Sequence, residues 1–280
     1  MPVIAAFVTF SLLLAVVGGS EDPPVVPEWP VAAKPPTTAP ASQPSDPVHS
    51  LLEELERSHA GIETFTAQLE YRKRDQLLRR DEIRTGRLIY DAEDEAGQRR
   101  FAMLFDKIVI NNRARDRLKH FIFDGRWLAE VDHQNLQFFA RELTPPGETL
   151  DPLQLGQGPF PLPIGQPAAE VRRRFEVALA EVPAEGPLAT LAEVDGLELI
   201  PKPGTPEAAE FERVTIYYDA DTRLPVGIEA VELGARGPGN VKIVRLLDAQ
   251  LNPALTPEQM EALSLERPPS PPWTIDERPW

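Results

Sequence analysis

The segment 120–142 reads HFIFDGRWLAEVDHQNLQFFARE and decides the fold. Asp124-Gly125 separates two runs in which apolar and polar residues alternate, and this dipeptide in such a setting is the strongest short signal for a β-hairpin. A second polar turn precedes another apolar run, which ends in Phe138-Phe139. The segment therefore predicts three antiparallel strands that carry a wall of large apolar side chains.

Further strands and a leading helix are predicted on both sides of this segment. Asp46 can cap a helix with Pro47 at its first position, and apolar residues then recur at helical spacing. Residues 168–174 predict a second, short helix. Strands that outnumber helices and follow one another through short turns are typical of a strongly curved antiparallel sheet with helices covering one side. The other predicted strands are 65–72, 83–90, 101–110, 175–182, 196–202, 211–219, 224–233 and 240–249.

The N-terminal region is predicted to direct export and then to act as a linker. Residues 1–20 contain no charged side chain and resemble a secretory signal peptide, with cleavage expected after Gly19 or Ser20. Because basic residues are missing ahead of the apolar run, an uncleaved anchor is the alternative, although the run is short for a membrane span. Residues 21–47 hold nine prolines and predict a disordered linker.

The folded domain is expected at residues 48–253. Within it, residues 143–167 are rich in Pro, Gly and Leu, and so long a connection without regular structure predicts a lid or binding loop. Residues 254–280 predict a proline-rich C-terminal tail that Trp273 and Trp280 would attach to the domain surface.

The charge pattern excludes some functions. The net charge of −15 argues against bulk binding of nucleic acid. Residues 72–119 nevertheless hold 14 of the 29 basic residues against nine acidic ones, which indicates either solvated strand faces or a docking face for an acidic partner or anionic head groups. The chain has no cysteine, so it forms no disulfide and carries no acylated N-terminal cysteine of its own.

Residues with catalytic or metal-binding chemistry are scarce. The sequence has no nucleophile elbow, no phosphate-binding glycine loop and no dinucleotide-binding glycine pattern. Its four histidines do not have the spacing of metal ligands, and of these His120 and His133 are the two that neighbouring strands would bring together. We therefore predict a protein without enzymatic activity, without a cofactor and without a metal site.

Large apolar side chains are what remains for a binding role. Ordinary core packing explains any one of them, but on the concave face of a curved sheet they would together line a hydrophobic cavity. This interpretation rests on strand alternation, and an error of one residue in register would move a strand's set to the opposite face. The predicted cavity-lining residues are Leu69, Tyr71, Met103, Phe105, Phe123, Trp127 and Phe138.

The order of motifs between residues 48 and 252 resembles the LolA-type family of outer-membrane lipoprotein carriers and lipoprotein-sorting proteins. The arginine–proline pair that this family often carries after its second strand has no counterpart at 91–98, so no gating arginine is carried over. The similar motifs are Leu52 and Leu55 in the leading helix, Gly61-Ile62 before Phe65-Thr66-Ala67, Gly86-x-Leu88, Phe123-Asp124-Gly125-x-Trp127, Leu197-Glu198-Leu199-Ile200-Pro201, Tyr218-Asp219-x-x-Thr222-x-Leu224-Pro225 and the closing strand Asn240–Asn252.

The resemblance implies a mainly β (α+β) fold: a curved antiparallel sheet that forms an incomplete barrel, with helices covering the concave face. It also implies a periplasmic monomer that shields the acyl chains of lipoproteins or another lipid in lipoprotein transport to the outer membrane, together with a membrane-protein partner. One alternative is a periplasmic sensor or regulatory interaction module with the same fold. Another is an exported hydrolase, which a buried cluster of histidine and carboxylate side chains would indicate.

Overall fold

The computed structural model describes residues 46–76, 80–92, 99–110, 112–143, 166–234 and 239–280. The predicted signal peptide, all but the last two residues of the predicted linker, and most of the predicted lid lie outside these residues. No helix among the described residues is both long enough and apolar enough to span a membrane.

The first helix, α1, spans Pro47–His59, as the sequence predicts. The Asp46 carboxylate accepts a hydrogen bond from the backbone N–H of Val48 at 3.1 Å, which satisfies one of the donors left open at a helix start. Leu51, Leu52 and Leu55 lie on one face and are buried against the sheet. A second helix, α2, spans Ala168–Arg174 and buries Ala168 and Val171 in the same core, which confirms the second predicted helix.

Twelve strands in the described residues form one sheet that does not close on itself. The sheet order is β12-β6-β5-β4-β3-β2-β1-β11-β10-β9-β8-β7, and every neighbouring pair is antiparallel except β12 with β6. The predicted incomplete barrel of mainly antiparallel strands is therefore confirmed. The strands are β1 Thr64–Asp75, β2 Arg80–Asp91, β3 Arg100–Ile110, β4 Arg113–Phe123, β5 Trp127–Asp132, β6 Gln137–Glu142, β7 Phe175–Ala180, β8 Val194–Pro201, β9 Phe211–Asp219, β10 Pro225–Glu232, β11 Val241–Leu251 and β12 Thr274–Arg278.

The two faces of the sheet carry different cores. Alternate residues of β1, such as Phe65 and Leu69, point to the face that α1 and α2 cover, which we call the inner face. This face holds the main hydrophobic core of the protein. The opposite, outer face carries smaller apolar clusters, of which Ile89, Ala102 and Ile122 form one part.

The C-terminal segment, residues 254–280, packs on the outer face. It contains a short helix, α3, at Pro257–Ala262 and ends in strand β12, which pairs with β6. Leu263 is completely buried against the outer-face cluster, and Trp273 packs against a second cluster. The segment expected to be a tail thus supplies an edge strand of the sheet. The local composition of the segment does not predict this pairing, because its partner strand β6 lies more than 100 residues earlier in the chain.

Candidate functional site

Most of the predicted cavity-lining residues lie in the packed core. Five of the seven are on the inner face, as predicted, but none is more than 8% exposed and none lines either of the cavities described below. Within the described residues, these side chains of β1, β3 and β4 belong to one apolar cluster with residues of α1 and α2. These five are Leu69, Tyr71, Met103, Phe105 and Phe123.

The remaining two, Trp127 and Phe138, lie on the outer face and not with Phe123. The Asp124 backbone N–H donates to the Trp127 carbonyl oxygen at 3.2 Å, so the hairpin turn consists of two residues and Phe123 pairs with Leu128. Leu128 therefore shares the inner face with Phe123, and its neighbour Trp127 faces the other way. The expectation that Phe123 and Trp127 share one face was wrong, whereas Trp127 and Phe138 do share one.

The observed register of β4, β5 and β6 places another set of apolar side chains on the inner face, at the end of the sheet where β12 lies. Phe121 of β4, Leu128 of β5 and Phe139 of β6 line an open cavity of about 270 Å³. The Phe139 side chain is unusual for its size because 48% of its surface is exposed. Polar side chains complete the lining: Glu130 on β5, Arg141 on β6 and Arg278 on β12.

Cations surround this apolar floor. Lys119 forms an ion pair with Glu130, and its ammonium also lies 5.5 Å from the centre of the Phe121 ring. The Arg278 guanidinium lies 5.3 Å from the centre of the Phe139 ring, a distance that allows a cation–π interaction. The cavity, called the arginine-rimmed cavity below, thus combines aromatic surface with fixed positive charge.

Arg278 and Arg141 differ in their partners. Arg278 donates to Asp276 at 2.8 Å, and this hydrogen bond lowers the pKa of the Asp276 carboxyl. Arg141 is exposed, and within the described part of the chain it makes no ion pair. One positive charge beside the apolar floor is therefore left without a protein counter-charge in these residues.

A second cavity, of about 420 Å³, lies on the outer face beneath the C-terminal segment. His120 and His133 meet there, with 3.3 Å between His120 Nδ1 and His133 Nε2, as their positions on neighbouring strands indicated. Burial, together with the nearby His133 and Arg87, lowers the pKa of His120 to about 4. Among the described residues, no three histidine or carboxylate side chains come together in a way that would hold a metal ion.

Sequence reasoning missed most of the arginine-rimmed cavity. Phe121 would have been found by pairing β4 with β5 through the two-residue turn, and Phe139 by pairing β5 with β6 through the four residues 133–136, because these registers place both rings opposite Glu130. Arg278 carries no local signal of its role, since it reaches the cavity only through the pairing of β12 with β6.

Among known proteins, similarity was found to solved structures. No protein-family model matches the chain, and no curated protein matches it. A solved structure of an uncharacterized conserved protein from Thermus thermophilus is similar at 10% identity and a TM-score of 0.41, over 82% of this chain and 98% of that one. The Pseudomonas aeruginosa MucA/MucB complex is similar at 14% identity and a TM-score of 0.39, over 76% of this chain and 60% of that one.

A LolA superfamily protein from Nitrosomonas europaea, of the family that the sequence motifs resemble, is also among the similar structures. It has 11% identity and a TM-score of 0.32, over 74% of this chain and 94% of that one. Identities and scores this low transfer no function. The fold is shown by the sheet itself, and the side chains that line the cavities indicate what the protein can bind.

Proposed function

We propose that this protein is an exported lipid-binding protein, without enzymatic activity, that shields an acyl chain in the arginine-rimmed cavity. The observation that carries the proposal is the exposed ring of Phe139, which lies beside Phe121 and Leu128 in one apolar cavity. An acyl chain gains about 0.8 kcal/mol for each methylene that it removes from water, so such a surface favours its binding.

The size of the cavity favours a single chain. Pockets that hold small ligands measure about 300–1,000 Å³, and the arginine-rimmed cavity, at about 270 Å³, is slightly smaller than this range. We propose a periplasmic location after removal of residues 1–20, a monomer, and a role in lipoprotein transport to the outer membrane with a membrane-protein partner. The resemblance of the sequence motifs supports this part of the proposal.

An apolar dye tests the cavity. We expect the protein to take up the uncharged dye Nile red, and Phe139→Glu to weaken this uptake at least tenfold because it places a carboxylate on the apolar floor. Leu179→Glu is the matched control, since Leu179 is 53% exposed on β7, at the opposite end of the sheet. Equal dye uptake by Phe139→Glu and the parent protein would contradict the proposal, as would no uptake by the parent protein.

The packed inner core favours a second candidate, an interaction module of the same fold. Phe65, Phe101, Phe105 and Phe123 are at most 1% exposed, so this part of the inner face has no room for a second acyl chain. If this candidate is correct, the protein purified from its host carries no lipid, takes up no dye and crosslinks to one membrane protein. Lipid that co-purifies in stoichiometric amount would exclude it.

A further inference from the structure

Two arginines face each other at the rim of the arginine-rimmed cavity. Arg278 of β12 pairs in register with Arg141 of β6, and both side chains line the cavity. Like charges directly opposite each other on neighbouring strands destabilise a sheet. The pairing of β12 with β6 thus has an electrostatic cost that a bound anion would offset.

The carboxylates nearby compensate this charge only in part. Glu130 is paired with Lys119, and Asp276 is paired with Arg278. Among the described residues around the cavity, three cations therefore face two carboxylates, and the cation left over is Arg141. A guanidinium binds carboxylate and phosphate through two parallel hydrogen bonds, so this position suits either of these anions.

The apolar floor lies directly beside the two guanidinium groups. Leu128 pairs in register with Arg141, and Phe139 lies two residues before Arg141 on the same face of β6. A ligand that contacts both the floor and the rim must carry an anionic group at one end of an apolar chain. A ligand with a neutral head group would leave the positive charge of the two arginines uncompensated, as it is in the free protein.

We propose that the arginine-rimmed cavity binds a single-chain amphiphile with an anionic head group, carboxylate or phosphate, which Arg141 and Arg278 hold together. The inference rests on the proposed function and adds the class of ligand. It also gives the C-terminal segment a role, because β12 supplies one of the two arginines.

Ligands that share one chain length and differ in the head group test the inference. In titrations of the full chain at low salt, we expect dodecanoate or dodecyl phosphate to bind at least tenfold more tightly than dodecanol. The anion that binds more tightly shows whether a carboxylate or a phosphate is the natural head group. The preference for an anion is expected to shrink as the salt concentration rises, because salt screens exposed charges.

Two variants and one control separate a head-group site from general electrostatic attraction. Arg141→Gln and Arg278→Gln are each expected to abolish the preference for an anion, so that the affinity for dodecanoate or dodecyl phosphate falls to that for dodecanol. Arg173→Gln removes the same charge from α2, where the side chain is 72% exposed, and is expected to change neither affinity.

Equal binding of dodecanoate, dodecyl phosphate and dodecanol by the parent protein would overturn the inference and leave the proposed function standing. A preference for an anion that survives in Arg141→Gln would also overturn the inference. Failure of all three ligands to bind would overturn the proposed function, and the inference with it.

Discussion

Truncation of Leu263 tests whether the C-terminal segment belongs to the folded domain. The side chain is completely buried between this segment and the outer-face residues Ile89, Leu104 and Ile122. Leu→Ala changes at such sites cost about 2–5 kcal/mol of unfolding free energy, and we expect about 3 kcal/mol here. For a folded domain of about 150–250 residues, 1 kcal/mol shifts the melting temperature by about 2–4 °C, so Leu263→Ala is expected to lower it by roughly 6–12 °C.

Two readouts check this prediction. Thermal unfolding gives the change in melting temperature, and hydrogen–deuterium exchange at residues 274–278 shows whether β12 stays paired. Met260→Ala is the matched control because Met260 lies on α3 with 41% of its surface exposed, so its truncation is expected to change the unfolding free energy by no more than about 0.5 kcal/mol. If Leu263→Ala unfolds like Met260→Ala and β12 exchanges no faster, the segment does not depend on this anchor and the reasoning fails.

Two further predictions concern the rest of the sheet. The pKa of His120 is lowered to about 4 in the folded protein, whereas the same side chain has its ordinary pKa of about 6.5 in the unfolded chain. Below pH 6.5 the unfolded chain therefore binds more protons at this residue than the folded protein does. The contribution of His120 to the free energy of unfolding is therefore fully present above pH 6.5 and is lost as the pH falls. We expect a loss of roughly 1 kcal/mol by pH 5, a figure that is reduced because the ring is partly exposed to solvent. Urea unfolding across this pH range checks the loss, and a variant His120→Gln that keeps the same pH dependence would refute it. Gly86→Ala places a Cβ only 2.0 Å from the Leu104 carbonyl oxygen, and is expected to cost about 1–3 kcal/mol, whereas Gly61→Ala meets no atom within 4 Å and is expected to be nearly neutral. Equal melting temperatures for the two glycine variants would contradict this.

Local patterns in the sequence predict the elements of the fold well. Alternation from Phe65 to Tyr71 correctly gives both the strand and its buried face, because one side of the sheet is covered. The Asp46-Pro47 start of α1 is correct because helix capping depends only on neighbouring residues. Asp124-Gly125 is likewise a turn, as the dipeptide indicates.

Two features are harder to predict: the face of the sheet to which a side chain points after a turn, and the pairing of a strand with a distant segment. Whether Trp127 shares a face with Phe123 depends on the number of residues in the turn, and the observed two-residue turn, Gly125-Arg126, places them on opposite faces. Strand β12 pairs with β6 through a ladder that begins with Thr274 opposite Gln137, far apart in the chain, and no local pattern encodes that pairing. The candidate site depends on both features, so the sequence alone pointed to the core residues in place of the cavity.

The location of a bound acyl chain tests the central claim most directly. Dodecanoate that carries a photoreactive diazirine on its chain can be crosslinked to the full protein, and mass spectrometry then identifies the modified peptides. We predict modification of the peptides that contain Phe121, Leu128 and Phe139, with competition by unlabelled dodecanoate. Modification confined to α1, β8 and β9, or no modification that unlabelled dodecanoate competes away, would contradict the account.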